Sequence, residues 1–107
     1  MPLNLNMISG RFRDGRYSIT KHGYEELDHD SITIEKLETD IGHDSPEIIE
    51  DYPDDPRGAS CLVLGWFEPD LPIHVCVSMS DDEPEIITAY RPSSVKFYPP
   101  DFRRRRR

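Results

Sequence analysis

A lysine and a histidine stand side by side in YSITKHGYEEL, residues 17 to 27, directly behind a threonine of the kind that caps helices. With Thr20 as N-cap of a helix over about residues 21 to 29, Lys21 and His22 fall in its first turn. Unsatisfied backbone N–H groups and the positive end of the helix dipole attract anions there. The same dipole disfavours imidazolium, so His22 is kept as the neutral imidazole that a general base must be, while Lys21 supplies a cation for an anionic substrate. A second cation, Arg91, lies where the last predicted strand meets Pro92, a position from which a side chain reaches solvent and an oxyanion at once. Its neighbour Tyr90 points to the opposite face of a regular strand, so the two serve one site only if Pro92 or a bulge twists the strand end. Thr88 shares the face of Tyr90 and adds a second hydroxyl. His74 alternates with apolar residues in PIHVCVSM, which marks it first as a hydrogen-bonded sheet histidine and second as a substrate contact.

Metal and cofactor chemistry finds no comparable pattern. Cys61 and Cys76 sit in apolar runs outside any CxxC spacing and are expected as reduced thiols, and the four histidines are scattered. The acidic runs DYPDDP and SDDEP lack the ligand rhythm of a calcium loop and are expected as solvated turns. Neither GxxxxGKS nor GxGxxG occurs, which removes nucleotide hydrolysis and dinucleotide redox chemistry. No metal and no cofactor is expected.

The elements that must position these residues follow from the hydrophobic period. Leu3, Leu5, Met7 and Ile8 make too short a pattern to separate a first helix from an arm, and Gly10 punctuates it. After the helix at 21 to 29, in which Tyr24 and Leu27 share a face, a second runs over about residues 34 to 41. Thr33 caps it, Ile34, Leu37 and Ile41 form its buried stripe, and Gly42 is its stop. From residue 46 the period drops to two, and proline and glycine mark boundaries about every ten residues. The predicted strands are PEIIEDYP, CLVLGWF, PIHVCVSM and EIITAYRP, with hairpin turns at EPDL and SDDEP. Ile73, Val75, Val77 and Met79 share one face of the third strand, and Ile86, Thr88 and Tyr90 one face of the fourth. The expected fold is α+β, N-terminal helices packed on a twisted antiparallel sheet, with 107 residues forming a single domain and residues 103 to 107 a basic C-terminal tail.

Charge sets a further constraint. The formal net charge is −8, yet Arg103 to Arg107 supply five of the thirteen basic residues, and without them eight bases face twenty-one acids, a body at −13. Such a body repels phosphate at long range, so any contact with a nucleic acid must be local. Arg103, Arg104 and the rest of the tail are expected as that contact, as an intramolecular counter-charge or as a solubilising end. No run approaches the roughly 18 apolar residues of a membrane span, and MPLNLNMISG has no secretory pattern, so a cytoplasmic protein is expected.

The order of motifs, YSITKHGYEELDHDSITIEKL followed by EIIEDYPDDP, PIHVCVSM and TAYRP, resembles the small bacterial proteins grouped as domain of unknown function 4258. The resemblance runs over about residues 17 to 106. It implies a fold similar to the RelE and barnase-like toxins and membership in a bacterial toxin–antitoxin pair, with a cognate antitoxin, sometimes one carrying a small zinc finger, as partner. It further implies metal-independent cleavage of RNA. Cleavage of that kind needs a base for the 2′-OH, an acid for the leaving oxygen and cations for the phosphorane. His22, Lys21, Arg91 and Tyr90 are the candidates for those roles, and Thr88, His74, Arg103 and Arg104 for substrate binding. The chain departs from the family pattern after His22, where alanine and then arginine are usual and Gly23, Glu25 and Glu26 stand instead. That departure and the acidic body favour the alternative, a non-catalytic protein-interaction module of the same fold.

Overall fold

The computed structural model describes residues 4–42, 46–56, 58–68, 71–80 and 83–106. Its elements are α1 (Leu5–Arg13), β1 (Ser18–Ile19), α2 (Lys21–His29), α3 (Ile34–Gly42), β2 (Glu47–Tyr52), β3 (Ser60–Glu68), β4 (Leu71–Ser80) and β5 (Glu83–Tyr90). The sheet order is β1-β5-β4-β3-β2. Strands β2 to β5 form the expected antiparallel meander, and β1 joins β5 in parallel, with Ser18 opposite Glu85 and Ile19 opposite Ile86. The sheet is therefore mixed, where an antiparallel one was expected. Two residues are too few to display a period of two, so β1 leaves no hydrophobic signal. The predicted turns at EPDL and SDDEP fall on residues 69–70 and 81–82, outside the described residues, as do Leu3 and Arg107.

The N-terminal pattern is a helix and not an arm. Asn4 caps α1 by accepting from Met7 N–H at 2.8 Å, and the helix passes through Gly10 to bury Ile8 and Phe12. In α3, Leu37 and Ile41 are buried as expected, but Ile34 is exposed at the first turn, since the stripe enters the core only from its second turn onward. These helices cover one face of the sheet, where Cys61, Val63, Ile73, Val75, Val77, Ile86 and Ala89 complete the core.

Two bulges decide which side chains face the helices. The β4–β5 register slips between Cys76 and Val77, so that Val77 opposes Ile86 while Cys76 opposes Thr88, with Ile87 as the extra residue. Consequently Ile86 shares the helix-side core with Ala89, and Thr88 and Tyr90 lie on the other face beside Cys76 and His74. The expectation that Ile86, Thr88 and Tyr90 share a face is overturned by this one inserted residue. The second bulge, between Ile48 and Glu50 of β2, likewise leaves Ile48 against the core. Cys61 and Cys76 point to opposite faces and are both free thiols; burial and the nearby Asp51 push the Cys61 thiol up to about 12.

The second face is covered by the chain after β5. Phe97 is buried over it with its ring edge-on to His74 at 4.4 Å, and it pairs with Arg105 in an isolated antiparallel bridge. Among the described residues no helix is long and apolar enough to cross a membrane.

Candidate functional site

Helix α2 is clamped to β5 at both ends. At its start the Thr20 N–H donates to the Ile86 carbonyl at 3.0 Å and the Thr20 hydroxyl to the Ile87 carbonyl at 3.0 Å, while the same oxygen caps the helix by accepting from Gly23 N–H at 3.0 Å. At its end Asp30 accepts from the Arg91 N–H at 2.9 Å. Burial opposes ionisation of Asp30, but this bond and the neighbouring His29 hold its carboxyl below the ordinary value. The helix lies very close to the sheet here, because a Cβ on Gly23 would sit 2.9 Å from Ile19 Cγ2 and 3.1 Å from the Ile86 carbonyl oxygen.

This clamp lays the middle of α2 along a groove of about 340 Å³ lined by Glu26, Thr88, Tyr90, Arg91, Ser93, Lys96, Phe97 and Arg105. Tyr90 and Arg91 both reach it. Three cations and three hydroxyls thus surround one helix carboxylate in a chain whose net charge is −8. His22 does not line the groove. It stands one turn ahead of Glu26, 63% exposed, with Nε2 at 3.4 Å from Glu26 Oε1. Lys21 is exposed on the first turn and also lies outside the lining, because its position precedes the groove by more than a helical turn.

His74 is fully buried beneath Tyr90 and Phe97, so it is no substrate contact. Its Nε2 is 2.9 Å from the Phe102 carbonyl, which can only accept, so Nε2 carries the proton and Nδ1 accepts from the Tyr90 hydroxyl at 3.4 Å. Burial lowers the imidazole to about 4, and the same burial raises the Tyr90 phenol to about 12. Tyr90 is therefore a protonated hydroxyl at neutral pH.

Part of the arginine tail is an intramolecular counter-charge, one of the three roles expected of it. Arg103 pairs with Glu47 and with Asp101, the latter at 3.2 Å. Arg105 forms a bidentate pair with Glu50 at 3.0 and 2.9 Å and lies 4.7 Å from the Phe97 ring centre. That hydrogen-bonded pairing raises the guanidinium and holds the Glu50 carboxyl below its ordinary range. Arg103 and Arg104 line a second cleft with Ile49, Glu50, Tyr98 and Arg105, so of the tail only Arg105 belongs to both.

The structure thus unites Thr88, Tyr90 and Arg91, sets His22 at the edge through Glu26, and separates Lys21, His74, Arg103 and Arg104 from the groove. Glu26, Lys96 and Arg105 are the residues that sequence reasoning missed. A signal for Glu26 was present, since His22 and Glu26 are four apart on one helix. None existed for Lys96 and Arg105, which arrive by a chain reversal.

No curated protein and no solved structure matches the chain. The sequence model of the family described as Domain of unknown function (DUF4258) matches residues 19–91, from the second residue of β1 to the arginine at the end of β5. Lys96, Phe97 and Arg105 lie beyond that segment. With β1, the clamped helix, the meander and Arg91 all inside a match that spans more than half of its length, the chain belongs to the DUF4258 family.

Proposed function

We propose that this protein is a metal-independent endoribonuclease of the toxin type, with the groove between α2 and the end of β5 as its active site and RelE/barnase-like architecture as its scaffold. The observation that carries the reading is the gathering of Arg91, Lys96 and Arg105 around a helix carboxylate in an otherwise acidic molecule. A cluster of cations in an acidic molecule makes a local positive potential that attracts an anionic ligand.

The roles follow from position. Glu26, inside the groove and backed by His22, takes the proton of the 2′-OH, and the imidazole shares the charge that the carboxylate gains or loses. The Tyr90 hydroxyl, turning from its long bond to His74, protonates the leaving 5′-oxygen. Arg91 and Lys96 balance the phosphorane, the contribution that removal of one donor usually reveals as about 2 to 4 kcal/mol, while Arg105, already paired with Glu50, forms the groove wall. Lys21 sits at the approach to the groove and steers the substrate. A cognate antitoxin that fills the groove would hold the enzyme inactive.

The test is cleavage of a labelled RNA, followed together with thermal melting. Glu26→Gln and His22→Ala should each lower the cleavage rate at least a hundredfold while changing stability by no more than about 1 kcal/mol, as expected of exposed or half-exposed side chains. Unchanged cleavage in both variants would remove the mechanism. The commitment of Arg105 to Glu50 specifically favours a second reading, a binding module of the same fold. An intact RNA in the presence of the wild-type chain would select it.

A further inference from the structure

The register of the C-terminal segment divides its arginines into two sets. The Tyr98 N–H donates to the Arg104 carbonyl at 2.9 Å and the Arg106 N–H to the Lys96 carbonyl at 2.7 Å, which holds the segment extended against residues 96 to 98. Successive side chains of an extended segment point to opposite sides. Arg103 and Arg105 point inward and are neutralised by Glu47, Asp101 and Glu50. Arg104 and Arg106 point outward, with their guanidinium carbons 5.1 and 4.3 Å from the Tyr98 ring centre, and Arg106 Nε donates to the Ser94 carbonyl at 2.6 Å. Among the described residues neither of these two meets a carboxylate.

We infer that Arg104 and Arg106, held over Tyr98, form a second phosphate site that extends the α2–β5 groove, and that the ligand spanning both is a single-stranded RNA of several nucleotides. The inference rests on the RNA reading of the groove. Continuity comes from Arg105, which lines both the groove and the neighbouring cleft of about 390 Å³, and from Lys96, whose carbonyl is bonded to Arg106. The outward pair offers planar forks suited to phosphate, and Tyr98, 39% exposed, offers an aromatic surface beside them. An exposed aromatic beside two arginines suits a single strand, whose unpaired bases have free faces to stack on it, whereas in a duplex those faces are taken up by neighbouring bases. Among the described tail residues, Arg104 and Arg106 are the arginines whose charge no carboxylate has already met, so they carry the tail's contact with the ligand.

The test measures binding apart from cleavage. A fluorescent 2′-O-methyl oligouridylate of ten nucleotides, which has no free 2′-OH to attack, is titrated by anisotropy across a potassium chloride series. Each phosphate contact to a single strand contributes about 0.7 to the slope of log affinity against log salt. The variant Arg104→Gln/Arg106→Gln should therefore show a slope shallower by about 1.4, losing about sevenfold less affinity than wild type between 50 and 200 mM salt. Arg104→Gln alone, which leaves the Ser94 contact intact, should show half that change, and Arg104→Lys/Arg106→Lys should keep the wild-type slope. Arg16→Gln, which removes one exposed positive charge outside the lining of both clefts, should leave the slope unchanged. A wild-type slope in the double glutamine variant overturns the inference, as does equal competition by a glutamate-rich peptide of the same charge. The two readings fail separately: a bound oligomer with the expected slope beside an uncut RNA discards the enzyme and keeps the site. A cut RNA with an unaltered slope does the reverse.

Discussion

His74 is neutral in the folded chain because burial disfavours the imidazolium, and the Phe102 carbonyl that accepts from one ring nitrogen and the nearby Glu50 carboxylate offset that effect only in part. With the folded imidazole lowered to about 4 and an unfolded one near 6.5, the unfolded chain binds the extra proton first as the pH falls. Stability is therefore full above about pH 6.5 and is lost progressively between there and pH 4, by roughly 3 kcal/mol in all. Glu50, with its carboxyl lowered by Arg105, adds loss of the same sign at still lower pH. The exposed His29, raised by Asp30, acts in the opposite sense, since its contribution is present below its ordinary value and vanishes as the pH rises. Urea midpoints measured from pH 7.5 to 4.5 should fall steeply in the wild-type chain and distinctly less in His74→Gln. Parallel curves for the two would show that another group carries the acid sensitivity. As a residue, His74 was legible as a sheet histidine from its alternation with Ile73 and Val75, but its partners Phe102 and Tyr90 were not, because one of them returns from 28 residues away.

Helix α2 owes its position to Thr20, a single residue that starts the helix, ends β1 and meets two carbonyls at the β5 bulge. Its nine residues rise about 13.5 Å and run beside the six-residue stretch from Ile86 to Arg91, about 16 Å long, so the two lengths match and both clamps can close. Thr20→Ala removes the cap and leaves the Ile87 carbonyl without its hydroxyl donor, and should cost about 1 to 2 kcal/mol. Thr20→Ser keeps the oxygen and should recover most of that loss in a chemical-denaturation midpoint. Equal midpoints for Thr20→Ala and wild type would show that Asp30 and the helix packing alone hold α2. The cap, the helix length and the strands were readable from local chemistry. The bulge at Ile87 was not, because EIITAYRP alternates well enough for either register, and only packing of Ile86 and Ala89 on the same core selects the one observed.

Across the whole molecule the two faces of the sheet are covered by different means, helices on one and the segment after β5 on the other. Phe97 seals the second face over His74, while the ion pairs of Arg103 and Arg105 lie at the solvent edge. Exposed pairs of that kind are worth about 1 kcal/mol or less each, whereas truncating a buried phenylalanine costs about 3 to 5 kcal/mol. Phe97→Ala should therefore lower the urea midpoint far more than Arg103→Gln. The reverse order would mean that charge, not burial, holds the segment. The same packing brings Lys96 and Arg105 to the groove, so loss of Phe97 should weaken anion binding together with stability.

By itself the sequence determined the helix caps, the strand periods, the α+β class and the polar ends of α2 and β5, since each depends on residues within a few positions of one another. It also determined that any nucleic-acid contact must be local, because a body at −13 offers no general attraction. Tertiary structure alone decided that β1 pairs in parallel with β5, that Glu26 faces the groove while His22 stands behind it, and that the tail folds back with alternate arginines neutralised. Those outcomes rest on contacts between residues tens of positions apart, as between Arg103 and Glu47 or Arg105 and Glu50. Such contacts are selected by the burial of Phe97 and the register of two bulges, and local spacing carries no record of either.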